Sequence, residues 1–396
     1  MKSNYNQLGQ YIEMVSRTNS DLKYGIEDVR GCSNTKQMMQ TRANLIGRTY
    51  EKFIVLRPQE FVFNRRTTRN GEKIGMAYNN TDREYIFTND YVAFRVKQEY
   101  LDKLLPDYLY MFFCRDEFDR YARYKSTGSA TEFFNWEDMC AVPFEIPPMD
   151  FQQLVVNAYK VLNERIETKQ KINDNLASTA QSLYKEWFVD FGHCSDKQFQ
   201  STKIGDIPIG WSVKNLTDLM SYAGGQQPPA SEFIHEPREG YIRLVQIRDY
   251  ETDAYATYIP IASKNKICDD HDIMIARYGV SLGRICYGLN GAYNVALAKV
   301  TPYKPFYKEF LRCFLNTDTF YNGINGSGER SAQQGFNQGN MEAFDLAVPP
   351  DNVLIEFEKL VKPLFEYRLF LRNEIAHLED IRDTLISAIT HQISSR

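Results

Sequence analysis

Residues 65–73, RRTTRNGEK, gather Arg65, Arg66, Arg69 and Lys73 around an Asn-Gly turn, with Thr67 among them. Guanidinium groups read guanine edges through paired hydrogen bonds, amides read adenine, and lysines and hydroxyls hold phosphates. The same residue types recur in the second half. Segment 246–250, QIRDY, offers Gln246, Arg248 and Tyr250, and 277–284, RYGVSLGR, offers Arg277, Tyr278, Ser281 and Arg284. Two loops rich in small and polar residues complete the set. Lys125, Ser126 and Thr127 lie in 125–131, KSTGSAT, and Arg330, Gln333 and Gln334 in 326–337, GSGERSAQQGFN. The chemistry on offer is recognition of a polyanion with readable edges. For any single arginine, a solvated surface charge is the plainer reading.

Groups that make or break bonds do not form a pattern. The chain carries no GxxxxGK[ST] phosphate loop, no GxSxG and no HExxH. His193, His235, His271, His377 and His391 lack ligand spacing. Cys32, Cys114, Cys140, Cys194, Cys268, Cys286 and Cys313 never form a CxxC pair, which reads as reduced thiols rather than a zinc site. Gly279 and Gly283 do not follow the dinucleotide fingerprint, and 146–149 IPPM and 348–351 VPPD lack the flanking residues that hold a flipped base. The expectation is a non-catalytic chain with no metal site and no cofactor of its own. With 47 basic and 51 acidic residues, the net charge of −4 excludes a protein basic all over but leaves room for local patches. No apolar run approaches the ~20 residues of a membrane span. The polar start MKSNYNQLGQ is not a signal peptide. Both point to a cytoplasmic protein without a membrane partner.

The elements that must position these loops come in two copies. Residues 134–148, FNWEDMCAVPFEIPP, align without a gap onto 336–350, FNQGNMEAFDLAVPP, at an offset of 202. Leu109, Phe112, Asp116 and Phe118 match Leu311, Phe314, Asp318 and Phe320 at the same offset, and Leu162, Leu176 and Leu183 match Leu364, Leu378 and Leu385. The chain is a tandem duplication. Each copy opens with short β-branched or aromatic stretches (53–56 FIVL, 91–96 YVAFRV, 241–247 YIRLVQI, 272–276 DIMIA) and continues into helical stretches near 99–121 and 305–320. The fold class is therefore α/β (mixed α+β), duplicated.

A Pro-Pro pair then introduces a long helix in each copy. Apolar residues recur at steps of mostly three and four: Phe151, Val155, Ala158, Leu162, Ile166, Ile172, Leu176, Ala180, Leu183 and Trp187 in the first. In the second they are Val353, Phe357, Leu360, Leu364, Leu371, Ile375, Leu378, Ile381, Leu385 and Ile389. Such a stripe predicts two antiparallel helices of about 40 residues, each ~60 Å long, packed as a coiled-coil-like spacer between the modules. Pro363 is expected to kink the second near its start. The aromatic run 182–199, SLYKEWFVDFGHCSDKQF, reads as the junction where the first helix meets the second module, with Gly192 permitting the turn. The expected domains are a first module at 1–148, a spacer helix at 149–192, a linker and second module at 193–350, and a second spacer helix at 351–394.

With these residues in view, the chain resembles the specificity (S) subunit of type I restriction–modification systems. The likeness is carried by 183–191 LYKEWFVDF, 203–211 KIGDIPIGW, 59–65 QEFVFNR, the paired IPP and VPP, and 381–386 IRDTLI; the ending SAITHQISSR departs from the family pattern. The resemblance implies two target-recognition domains on double-stranded DNA, each reading one half of a bipartite site. It also implies helices that act as a ruler and dock two methyltransferase (modification) subunits, with restriction (motor-nuclease) subunits joining. S-adenosylmethionine, ATP and Mg would then be used by those partners. Because the modules differ in their central sequences, the expected site is asymmetric. A few-residue deletion within 165–180 is expected to alter the half-site spacing. Three other readings stand beside this one: a duplicated coiled-coil scaffold that binds only protein, a nuclease with dispersed carboxylates, and the specificity region of a combined restriction–methylation enzyme. The short N-terminus is expected to disfavour the last.

Overall fold

A computed structural model describes residues 6–41, 45, 47–66, 73–128, 132–194, 198–326 and 335–394. The chain divides into two compact units, Met1–Glu167 with Ala376–Arg396, and Thr168–Ile375. In the first unit, β-branched and aromatic residues form an antiparallel sheet in the order Ile12–Val15, Tyr91–Val96, Phe61–Asn64, Met76–Tyr78. Pairing places Phe61 opposite Phe94 with their rings stacked at 5.0 Å. Three helices cover this sheet: α1 (Pro106–Phe113), α2 (Asp116–Lys125) and α3 (Trp136–Cys140). Phe113 of α1 meets Phe61 and Phe94 edge-on at 5.7 and 5.8 Å. The long helix α4 (Met149–Phe188) follows Pro147–Pro148 directly.

The second unit repeats this plan. Its antiparallel sheet runs Met220–Gly224, Leu297–Pro302, Ile273–Ala276, Ile285–Cys286, so both sheets place their strands, numbered along the chain, as first, fourth, second, third. Helices α5 (Lys308–Leu315), α6 (Asp318–Asn325) and α7 (Gln338–Glu342) start 202 residues after α1, α2 and α3, and α8 (Asp351–Ser394) starts 202 after α4. The same backbone bond closes both modules. Leu8 N–H donates to Val142 O at 2.9 Å, and Leu216 N–H donates to Phe344 O at 2.8 Å. The apolar identities shared by the repeats are core residues: Leu109, Phe112, Phe118, Phe134 and Met139 are buried, as are Leu311, Phe314, Phe320, Phe336 and Met341. The second unit adds a mixed sheet in the order Tyr258–Pro260, Tyr241–Val245, Gly291–Tyr293, Ile267–Cys268.

Within each unit α4 and α8 run antiparallel. In the first, Val155 and Val156 share a core with Ile389, while Asn163 and Arg382 line one cleft. In the second, Trp187 packs on Phe357 at 5.6 Å, Arg368 Nε donates to Asn173 Oδ1 at 3.1 Å, and Lys169 Nζ reaches Glu374 Oε2 at 2.6 Å. Val155, Leu162, Leu176, Leu183, Trp187, Phe357, Leu364, Leu371, Leu378 and Leu385 are all buried or half-buried. Leu360 and Ile381, expected on the stripe, are instead 46% and 42% exposed. The buried row here is Phe357, Val361, Phe365 and Leu369, in steps of four. Each such step overshoots the 3.6-residue turn by ~40°, so the row winds around the helix onto the module and leaves Leu360 outside. Pro363 lies inside α8 without ending it.

The end of α4 is built into the second core. Tyr184, Trp187 and Phe188 are buried, with Phe188 against Phe310, Phe357 and Trp211 at 4.8, 4.7 and 5.9 Å. The turn expected at Gly192 is made one residue earlier, by Phe191 in the left-handed region at φ 54°. Gly192 serves a different purpose: a Cβ there would stand 2.3 Å from Glu186 Oε1.

Along α8, Glu358 Oε2 accepts the Glu309 backbone N–H at 2.9 Å near the start of α5. Burial, then the neighbouring Glu309 charge, pushes its carboxyl up to about 7, against the opposing pull of that N–H and, more weakly, of Lys362 and Lys308. The folded state thus holds a proton that the unfolded chain has released, and this group's contribution to stability falls as pH rises from about 4.5 to about 7. Glu358→Gln keeps an acceptor for that N–H. It is expected to flatten this part of the stability–pH curve, by on the order of 1 kcal/mol given the partial exposure, in urea titrations at pH 5 and 8.

Candidate nucleic-acid interface

In the first unit the strand Phe61–Asn64 runs directly into Arg65 and Arg66. Phe134 N–H donates to Arg65 O at 2.9 Å, Arg66 forms an antiparallel bridge to Phe133, and Thr127 exchanges two backbone bonds with Phe133 at 3.2 and 2.9 Å. The fold therefore brings Arg65, Arg66, Ser126 and Thr127 onto one rim around the segment that precedes α3. The Arg65 and Arg66 side chains are exposed, and Arg66 lies 3.6 Å from Asp90. Lys73 is exposed and 3.5 Å from Asp116, a pair open to solvent and worth little. Lys125 reaches over the rings of Tyr121 and Tyr124 at 5.8 and 5.9 Å. Ser126 has a structural task, since its Oγ donates to Ala122 O at 2.7 Å and closes α2. Thr67 and Arg69 lie outside the described residues.

Arg277 occupies the same place in the second unit, as the residue that leaves the strand Ile273–Ala276. Its Nη1 donates to Val295 O at 3.4 Å, and its guanidinium lies 5.2 Å from the Tyr278 ring and 5.9 Å from Phe336. Gly335 lets the segment before α7 close on this pair, because a Cβ there would stand 2.6 Å from the Tyr278 ring. Ser281 and Arg284 border a cleft with Thr317, Asp318 and Tyr321. Arg284 Nη1 pairs with Glu251 at 2.6 Å, which ties 277–284 to the 3-10 turn Ile247–Tyr250.

The residues of that turn divide in two. Arg248 is exposed and stacks over Tyr255 at 5.7 Å. Gln246 and Tyr250 face inward. Gln246 Nε2 donates to Thr257 Oγ1 at 3.3 Å, and Tyr250 packs against Cys268 and Cys286 with its hydroxyl buried and held protonated by that burial. Arg330, Gln333 and Gln334 lie outside the described residues. Sequence reasoning named Arg65 and Arg277 but missed their equivalence. Their separation is 212 rather than 202, and the signal lies in aligning the ends of FVFN and IMIA.

The arrangement presents cations, hydroxyls and aromatic faces. Among the described residues no group of three or more His, Cys, Asp or Glu side chains is placed to hold a metal ion, and no helix is long and apolar enough to cross a membrane.

Comparison with known proteins gives one answer in sequence and in fold. A Methanocaldococcus jannaschii protein named type I restriction enzyme MjaIX specificity subunit is 25% identical over 299 residues, 72% of this chain and 68% of its own. The HindI specificity subunit of Haemophilus influenzae is 28% identical over 90 residues, 22% of this chain and 20% of its own. The crystal structure of a type I restriction–modification S subunit from M. genitalium superposes with a TM-score of 0.54 at 14% identity, covering 98% of this chain and 96% of that one. No protein-family model matches the chain. The homologues are specificity subunits of type I restriction enzymes, and the fold is that of an S subunit.

Proposed function

We propose that this chain is a sequence-specific DNA-binding subunit that recognises an asymmetric bipartite site and directs partner methyltransferase and restriction subunits to it. The observation that carries the reading is a rim built twice on one plan: an arginine leaves the same strand of each sheet beside the segment that precedes α3 or α7. The two rims differ in their surroundings, exposed arginines in the first unit and an added mixed sheet in the second, which favours two different half-sites. We assign the two target-recognition domains to 1–148 and 193–350 and the spacer helices to 149–192 and 351–394. On α8, Leu360, Tyr367 and Phe370 are exposed, with Tyr367 stacked on Phe370 at 5.9 Å, an apolar face suited to a methyltransferase subunit. S-adenosylmethionine, ATP and Mg belong to those partners in this reading.

The test is to map methylated motifs in DNA from cells that carry the partner methyltransferase with and without this chain. A split, asymmetric motif that appears only with the chain is expected. The same methylation in its absence would refute the proposal.

A further inference from the structure

We propose that the second unit holds a phosphate-binding cleft for the nucleic-acid backbone, formed by Gly225–Gln227 and Lys264–Lys266, with Arg277 bonded to Val295 on its wall. The inference rests on the DNA-reading function proposed above and adds a lysine-bearing cleft beside the rim arginine Arg277. The cleft has a volume of about 600 Å³; Leu244, Ile259 and Ala292 are among its apolar lining, and Lys264 and Lys266 stand at its edge. Glu232 is the one carboxylate among its lining residues. Lys264, Lys266 and Arg277 form no ion pair with another described residue.

The glycines explain how the cations reach one place. A Cβ on Gly224 would stand 2.4 Å from Arg277 Nη1, and one on Gly225 would stand 2.2 Å from the carbonyl oxygens of Tyr293 and Asn294. The backbone lies flush against its neighbours, and Gly224 puts no side chain over the guanidinium. On the other side, Lys266 Nζ donates to Gly224 O at 2.7 Å. Two cations thus converge on one glycine. Val295 joins them to the cleft, since it lines the cavity and its carbonyl accepts from Arg277.

Arg277 is under-satisfied where it stands. It is half-buried, its single described side-chain bond is 3.4 Å long, and its Nε is buried without a partner. A desolvated cation without a counter-charge is costly, and an incoming anion offsets that cost. Its counterpart in the first unit, Arg65, stands exposed to solvent, whereas Arg277 is half-buried. A phosphodiester is the fitting class, because cations grouped beside bare backbone position a strand without reading its bases.

The experiment uses the full chain assembled with its methyltransferase, and fluorescence anisotropy on labelled duplex DNA over a range of salt. Lys264→Gln with Lys266→Gln, and Arg277→Gln separately, are each expected to weaken binding by roughly 3–10-fold and to lower the salt slope by about 1 per cation lost. Gly224→Ala should displace the guanidinium and reproduce the Arg277→Gln loss while both lysines remain. With the lysine pair replaced, the methylated motif should not change. If Arg277→Gln fails to fold, the lysine pair, which is exposed, still decides the matter. Unchanged slopes in variants of a DNA-binding wild type would overturn the cleft alone, and a changed motif in the lysine variant would overturn its assignment to phosphate. A wild-type assembly that does not bind duplex DNA would overturn the DNA-reading function itself.

Discussion

Four residues inserted between Glu167 and Thr168, matched by four between Ile375 and Ala376, are expected to lengthen the gap between the two half-sites by about two base pairs. The insertion points lie where α4 and α8 pass from one compact unit to the other. Four helical residues add ~6 Å and turn the helix ~400°, close to one full turn, so the apolar rows stay nearly in phase. DNA advances ~3.4 Å per base pair, which gives the expected change. Methylation mapping in cells carrying the variant should return the same bases in each half-site and a longer spacer. A single-residue insertion in α4 alone is the contrasting case. It turns the part of α4 beyond it by ~100° while α8 keeps its original phase, and should abolish methylation rather than re-space it. If the matched variant methylates with the original spacing, the helices do not measure the site.

Much of this fold was legible because the duplication is held in phase where helices follow one another closely. From α1 to α4 the helix starts keep the same spacing in the two copies, so α5, α6, α7 and α8 all begin 202 residues later. The shared phenylalanines and methionines recur because they fill the same core, not because they touch a ligand. The strands do not keep this phase. Tyr91–Val96 and Leu297–Pro302 start 206 apart, and Phe61–Asn64 and Ile273–Ala276 start 212 apart, since loops between strands absorb changes in length at little thermodynamic cost. The equivalence of Arg65 and Arg277 was hidden for that reason. Periodicity also misplaced Leu360 and Ile381, because α8 packs partly on the module and partly on α4, and a winding row of fours does not follow a single stripe. Tyr250 looked like a recognition residue from its neighbours Gln246 and Arg248. Only the added mixed sheet, whose pairings join distant parts of the chain, turns it inward.

Arg312→Met is expected to lower the stability of the second unit by about 3–5 kcal/mol, the largest loss anticipated from any polar substitution here. Arg312 is 1% exposed and sits where α5, the strand Ile273–Ala276 and α8 are tied together. Its Nε donates to Glu309 Oε2 at 2.6 Å and its Nη2 to His271 O at 2.8 Å. Its guanidinium lies 4.8 Å from both the Tyr287 and Phe365 rings, and Arg368 and Arg372 of α8 approach the same tyrosine, the latter donating to Tyr287 O at 2.8 Å. Methionine fills the space but strands the buried Glu309 carboxylate beside Glu358, so the penalty is that of an unpaired charge. Arg312→Met combined with Glu309→Met should recover most of the loss, because it removes both charges together. Trp187 and Trp211 lie in this core and report its unfolding by fluorescence in urea, whereas Trp136 packs in the first unit. A single variant within 1 kcal/mol of wild type, or a double variant no better than the single, would show that the pair does not hold α8 to its module. If it does, and the proposed function holds, Arg312→Met should also cost methylation in cells at growth temperatures that the double variant tolerates, since a loosened α8 fixes neither the second module nor the apolar face proposed to receive a methyltransferase.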